Sequence, residues 1–265
     1  VTNTPRGPGR PQWRGRAGHG LVAFAGELLV AGGARGMSGG DSGDVWKSVD
    51  GADWAELTAA APWAARSHFG LVAFGGELLL AGGGTPCSAS CTVGGSELND
   101  VWKSPNGAAW AKVTAAAQWP VRRDFGLVAF RAELILAGGC RHFSGQCGSL
   151  NDVWKSSDGA DWAAVASAAP WSARTGFGFV VFGDGLVLAG GGAEGRKALS
   201  DVWKSVDGAE WVEVTAAAPW AARRDFGLVV FRGELVLAGG CSRDTDTSGC
   251  GHLNDVWTSS DGVDW

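Results

Sequence analysis

The residues best equipped for chemistry in this sequence are arginines, carboxylates and paired cysteines, and each kind returns at regular intervals. An arginine stands ahead of each of five apolar runs, at Arg16, Arg66, Arg122, Arg174 and Arg223. Two copies are doubled and followed by an acid, as Arg122-Arg123-Asp124 and Arg223-Arg224-Asp225; a third reads Arg66-Ser67-His68. A guanidinium presents a fork of donors that matches carboxylate or phosphate. All these arginines, with His68, Asp124 and Asp225, are therefore candidates for binding an anionic group on a partner. A structural alternative competes for the repeated five. Five copies of Asp-Val-Trp open with Asp44, Asp100, Asp152, Asp201 and Asp255, one acid for each repeated arginine. For Arg123, Arg224 and His68, which have no such match, binding and plain solvation stand level.

The six cysteines fall as three close pairs, Cys87/Cys91, Cys140/Cys147 and Cys241/Cys250. Their even number and closeness predict local disulfides, and hence an oxidising compartment, extracellular or an organelle lumen. Metal is the rival, since His142 lies between Cys140 and Cys147 and His252 follows Cys250. Each loop then offers at most three ligands where a structural zinc takes four, so no metal is assigned. The stretch SRDTDTSG at 242–249 lacks the glutamate and spacing of a calcium loop.

The formal net charge of −5, with no long run of lysine or arginine, argues against nucleic acid and anionic membrane as partners. No apolar stretch approaches the ~20 residues of a membrane span, and the opening VTNTPRGPGRPQW has no apolar signal segment, so any targeting peptide lies outside this chain. Tyrosine is absent, while 44 glycines and 15 tryptophans suit an all-β chain of tight turns and buried aromatic anchors.

The elements that position these residues emerge from the period. The tryptophans of Asp-Val-Trp are 46, 102, 154, 203 and 257, and from each of the first four to the next Gly-Gly pair is always 37 residues. From Gly-Gly to the next such tryptophan the distance varies over 13, 19, 15, 12 and 17 residues. All length variation is confined to one segment per repeat, as a surface loop between rigid parts would have it. Each repeat parses into four short strands, exemplified by FGLVAF (69–74), ELLLAGG (77–83), DVWKS and a strand begun by the next tryptophan. Asp-Phe-Gly at 124–126 and 225–227 opens a first strand and is accompanied by no other element of a kinase site.

The glycine doublet after an apolar strand, the tryptophan behind it and the arginine before the next apolar strand resemble kelch repeats, over almost the whole chain and five times. The resemblance implies an all-β, five-bladed β-propeller of four-stranded blades, a single domain spanning 1–265. Val1-Thr2 matches Leu57-Thr58, Val113-Thr114 and Val214-Thr215, so the N-terminal segment is expected to complete the last blade and close the ring; a larger ring cut from a longer precursor is the alternative. The phrase SVDGADW is similar to a shortened aspartate box of sialidases, expected as the turn between third and fourth strands. Sialidases use a tyrosine nucleophile, and the copper-radical oxidases built on kelch propellers need tyrosine ligands. Without tyrosine, neither chemistry is available.

Strand direction alternates, so the variable loops and the Ala-rich connectors emerge on one side of a blade and the short turns on the other. Binding belongs with the variable loops, and kelch proteins carry pocket arginines on that side which bind acidic peptide motifs. The expected function is a non-enzymatic scaffold docking a protein partner through its loops, as a peripheral subunit of a larger, membrane-associated assembly. No catalytic residue, cofactor or metal is assigned. A carbohydrate-active or isomerising kelch enzyme is the alternative, marked by Asp124 or Asp225 in a closed pocket beside Arg123 or Arg224. A lectin is the third reading, marked by exposed Trp63, Trp119, Trp171 or Trp220.

Overall fold

A computed structural model of the chain describes residues 13–36, 40–85, 97–143, 146–194, 197–242 and 251–265. It is all-β, with no α-helix among the described residues, and its small antiparallel sheets form a five-blade β-propeller arrangement. The first blade comprises β1 (Gly20–Phe24), β2 (Glu27–Ala31), β3 (Val45–Ser48) and β4 (Ala55–Thr58). The second comprises β5 (Gly70–Phe74), β6 (Glu77–Gly84), β7 (Glu97–Ser104) and β8 (Ala111–Thr114). The third comprises β9 (Gly126–Phe130) and β10 (Glu133–Ala137), a loop hairpin β11 (Cys140–Phe143) and β12 (Gln146–Ser149), then β13 (Val153–Ser156) and β14 (Ala163–Ala166). The fourth comprises β15 (Arg174–Thr175), β16 (Gly178–Phe182), β17 (Gly185–Ala193), β18 (Ala198–Ser205) and β19 (Val212–Thr215). The fifth comprises β20 (Gly227–Phe231), β21 (Glu234–Ala238), a loop pair β22 (Cys241–Ser242) and β23 (Gly251–His252), and β24 (Val256–Ser259). The expected completion of that blade rests on Val1 and Thr2, which lie outside the described residues.

The chain forms two compact units, Val1–Ala116 and Ala117–Trp265. The first holds two blades and the second three. In each unit the core lies between successive blades, because strand residues alternate between two faces. In the second unit, Val180, Phe182, Val187, Ala189 and Val202 of the fourth blade pack against Leu228, Leu235, Leu237 and Trp257 of the fifth. Val128, Phe130, Ile135, Ala137 and Val153 of the third pack in the same way against Phe179, Leu186, Leu188 and Trp203 of the fourth. The first unit repeats the pattern, setting Val22, Phe24, Leu29 and Val45 against Leu71, Leu78, Leu80 and Trp102. Each large apolar side chain so buried contributes about 1.5–3 kcal/mol.

The turn between first and second strands has two residues, and in three blades it carries non-glycine residues in left-handed conformation: Ala25, the Arg131-Ala132 pair and Arg232. The hairpin twist demands this geometry, and glycine would supply it without strain. The Gly-Gly doublet has a different reason. At Gly139, with φ of 90°, a Cβ would stand 2.7 Å from the Arg123 carbonyl oxygen and from Phe125 Cβ.

Candidate functional site

The repeated arginine works as a staple. Arg174 Nη1 and Nη2 donate to Asp201 Oδ1 and Oδ2, each at 2.7 Å. Nη1 also donates to the Gly190 carbonyl at 2.8 Å and Nε to the Ser172 carbonyl at 2.9 Å. Its own backbone N–H donates to Leu150 O at 3.1 Å, and its carbonyl accepts from Gly139 N–H at 3.0 Å. The side chain is thus fixed to the fourth blade and the backbone to the third. Arg66 and Arg223 make the equivalent double attachment, to Asp100 and to Asp255. Arg16 and Arg122 form the same forked pairs with Asp44 and Asp152. All five side chains have 0% exposure. Of the two sequence readings, the geometry describes the structural one. In this geometry the guanidiniums of Arg16, Arg66, Arg122, Arg174 and Arg223 present no exposed side-chain surface, and their donors are engaged within the fold.

The tryptophan two residues on completes each pair. Trp203 Nε1 donates to Asp201 Oδ2 at 2.8 Å, and Trp46, Trp102, Trp154 and Trp257 do the same to their aspartates. Sequence reasoning missed this bond, although Asp-x-Trp on a strand places both side chains on one face. Burial alone would push the Asp44 carboxyl up; hydrogen bonds from Arg16, Ser42 and Trp46, with the Arg16 charge, carry it well below the usual aspartate range. Asp100 is lowered in the same way against its burial, by Arg66 and Trp102. Asp255 is lowered chiefly by the bonds from Arg223 and Trp257.

The Ser-x-Asp-Gly turns are local scaffold. Ser156 Oγ accepts from Gly159 N–H at 2.8 Å, and Asp158 Oδ1 accepts from Ala160 and Asp161 N–H at 2.8 and 3.0 Å. Trp162 Nε1 then donates to the Gly159 carbonyl at 3.0 Å. Asn106 Oδ1 accepts the same two backbone bonds at 3.0 Å each, which explains why asparagine can stand for aspartate there. The connector tryptophans Trp63, Trp119, Trp171 and Trp220 are buried, each set edge-on to the tryptophan behind such a turn at 6.0 Å. A cleft of about 250 Å³ on this side is lined by Gln118, Glu133, Lys155 and Trp162. Its polar groups serve the fold, since Lys155 pairs with Glu133 at 3.1 Å and Gln118 Oε1 accepts from Trp162 N–H at 2.9 Å.

The loop side differs. Arg123 Nη2 lies 3.0 Å from His142 Nε2, and Arg123 Nε lies 3.7 Å from Asp124 Oδ2. Arg224 Nε stands 3.9 Å from Asp225 Oδ2. Arg123, Asp124 and Arg224 are partly exposed, and Asp225 is exposed. Each second arginine exchanges backbone hydrogen bonds with a loop cysteine, Arg123 with Cys140 and Arg224 with Cys241, at 3.0 and 2.9 Å. Cys140 and Cys147 form a disulfide that closes the β11–β12 hairpin, and Cys241 is disulfide-bonded as well. Cys87, Cys91 and Cys250 lie outside the described residues. Cys140, His142 and Cys147 have ligand atoms within 4.8 Å of one another, but disulfide sulfurs are not the thiolates that a metal takes.

His68, Asp124 and Asp225 share a further property, a φ of 56°. Glycine holds the corresponding positions of two other copies, Gly18 and Gly176, at φ of 62° and 57°. His68 lies over Gly18, where a Cβ would meet its ring at 2.7 Å, and Asp225 lies over Gly176. His68 and Asp225 N–H donate to the Gly18 and Gly176 carbonyls at 2.7 and 2.8 Å. The signal was available in sequence, since Arg16-Ala17-Gly18 and Arg174-Thr175-Gly176 align with Arg66-Ser67-His68.

No family model matches this chain, and no curated protein matches it in sequence.

Proposed function

We propose that the chain is a kelch-type propeller acting as a non-enzymatic docking scaffold, which engages an acidic group of a protein partner through its loop side. The observation that carries this reading is the pair of Arg-Asp clusters at 123–124 and 224–225, partly exposed and tied by backbone bonds to disulfide cysteines of the variable loops. Loops braced in this way lose less entropy on binding. The exposure of Asp225 favours docking over a carbohydrate-active or isomerising enzyme, whose carboxylate belongs in a closed pocket. The burial of Trp63, Trp119, Trp171 and Trp220 favours it over a lectin, which stacks sugars on exposed rings.

The disulfides support residence in an oxidising compartment, secreted or lumenal. No helix among the described residues is long and apolar enough to cross a membrane. The test is capture of partners from the native source on immobilised chain, comparing wild type with Arg123→Ala/Arg224→Ala. Loss of a captured protein at unchanged melting temperature supports the reading. An identical captured set with both chains overturns it.

A further inference from the structure

We propose that the β11–β12 hairpin is a redox-gated site for copper(I), held by Cys140, His142 and Cys147 once the disulfide between the two cysteines is reduced. Strand register brings the three residues together. His142 stands directly across the hairpin from Cys147, and Cys140, two residues before His142 on the same strand, shares its face. Their ligand atoms all lie within 4.8 Å of one another. The base of the hairpin is pinned independently of the sulfur bond. Cys140 exchanges backbone hydrogen bonds with Arg123 at 2.9 and 3.0 Å, and Leu150 N–H donates to the Gly139 carbonyl at 2.8 Å. Reduction therefore leaves the ligands close together on an anchored frame.

The bond is open to attack at one end. Cys140 is buried but Cys147 is exposed, and exposed disulfides are the labile ones. A dithiol reductant supplies the two electrons and two protons. Its first thiolate attacks Cys147 Sγ, and Cys140 leaves as a thiolate that takes a proton. Its second thiolate then displaces Cys147, which takes the other proton, so the reductant ends as a disulfide and the hairpin as two thiols. Copper(I) replaces those two protons, which pass to solvent. Soft thiolates select copper(I), whereas a structural zinc takes four ligands and this group offers three among the described residues. Two thiolates with a monovalent ion leave one net negative charge. The Arg123 guanidinium, its Nη2 3.0 Å from His142 Nε2, stands beside the site to offset it.

The test reduces the full chain with dithiothreitol under nitrogen, removes the reductant, and titrates copper(I) in competition with a chromophoric chelator. Cys147→Ser and His142→Ala are titrated beside wild type, with circular dichroism to confirm folding. Because other cysteines are present, hydrogen exchange locates the ion. Reduced wild type is expected to hold a copper ion that reduced Cys147→Ser lacks, and His142→Ala to bind it roughly tenfold or more weakly. Copper(I) is expected to slow exchange in Cys140–Phe143 and Gln146–Ser149 of reduced wild type, and to leave the oxidised chain unchanged there. Hairpin exchange that copper(I) does not alter in reduced wild type overturns the proposal, whatever the variants do. So does equal copper uptake by all three reduced chains, tighter binding of zinc(II) than of copper(I), or a Cys140–Cys147 bond that the dithiol leaves intact.

Discussion

Arg174 illustrates how much one side chain can hold, because its guanidinium grips Asp201 and Gly190 in one blade while its backbone bonds to Gly139 and Leu150 in the blade before. Removing it strands a buried carboxylate and loosens two blades at once. Arg174→Ala is expected to lower stability by about 3–5 kcal/mol in urea unfolding, and Arg174→Lys to recover little, since an ammonium cannot reproduce the fork. Arg123→Ala, one position beyond the equivalent staple Arg122, leaves a partly exposed pair and is expected to cost less than about 1 kcal/mol. The staples also set the acid response. Asp44, Asp100 and Asp255 have folded pKa values below the ordinary 3.8. As pH falls, the unfolded chain binds protons first and stability is lost. His19 is lowered too, by burial and by Arg16, which adds a loss in the same direction beginning near the ordinary histidine range. The urea midpoint is therefore expected to decline on acidification from about pH 6 and to fall most steeply below about pH 4. A midpoint that rises on acidification would contradict the pairing described.

At the scale of elements, the strands and turns were legible in sequence because their causes are local: alternation, glycine doublets and Ser-x-Asp-Gly turns. The left-handed residues were not, because the eye reads Asp124 and Asp225 as charge before reading them as occupants of a glycine position. The β11–β12 hairpin was foreseen only as a loop; its pairing depends on the cysteines rather than on apolar periodicity. Two measurements address this level. Ala132→Gly is expected to stabilise the chain by about 0.5–1 kcal/mol by relieving left-handed strain in its turn. Reducing the Cys140–Cys147 bond is expected to speed hydrogen exchange in Cys140–Phe143 and Gln146–Ser149 while β9, β10 and β13 remain protected. Equal loss of protection in the blade strands would show that the disulfide supports the blade itself.

For the whole molecule, the repeat predicted the five-blade arrangement because, within each unit, one blade covers the next with the same few positions. The sequence offers the repeated arginines both a binding and a structural role, and the geometry buries their side chains in forked aspartate pairs, since burial depends on tertiary packing and cannot be read from one repeat. What remains for recognition is the part that does not repeat. Arg123, His142 and Arg224 occur in particular copies, on the side where loop length varies. The most direct test of that division is capture of native partners by wild type, Arg123→Ala/Arg224→Ala and the turn-side variant Asp158→Ala, with melting temperatures measured in parallel. Loss of a partner only with the arginine double variant, at wild-type melting temperature, is the predicted result. Loss only with Asp158→Ala, or full capture by all three chains, would contradict it.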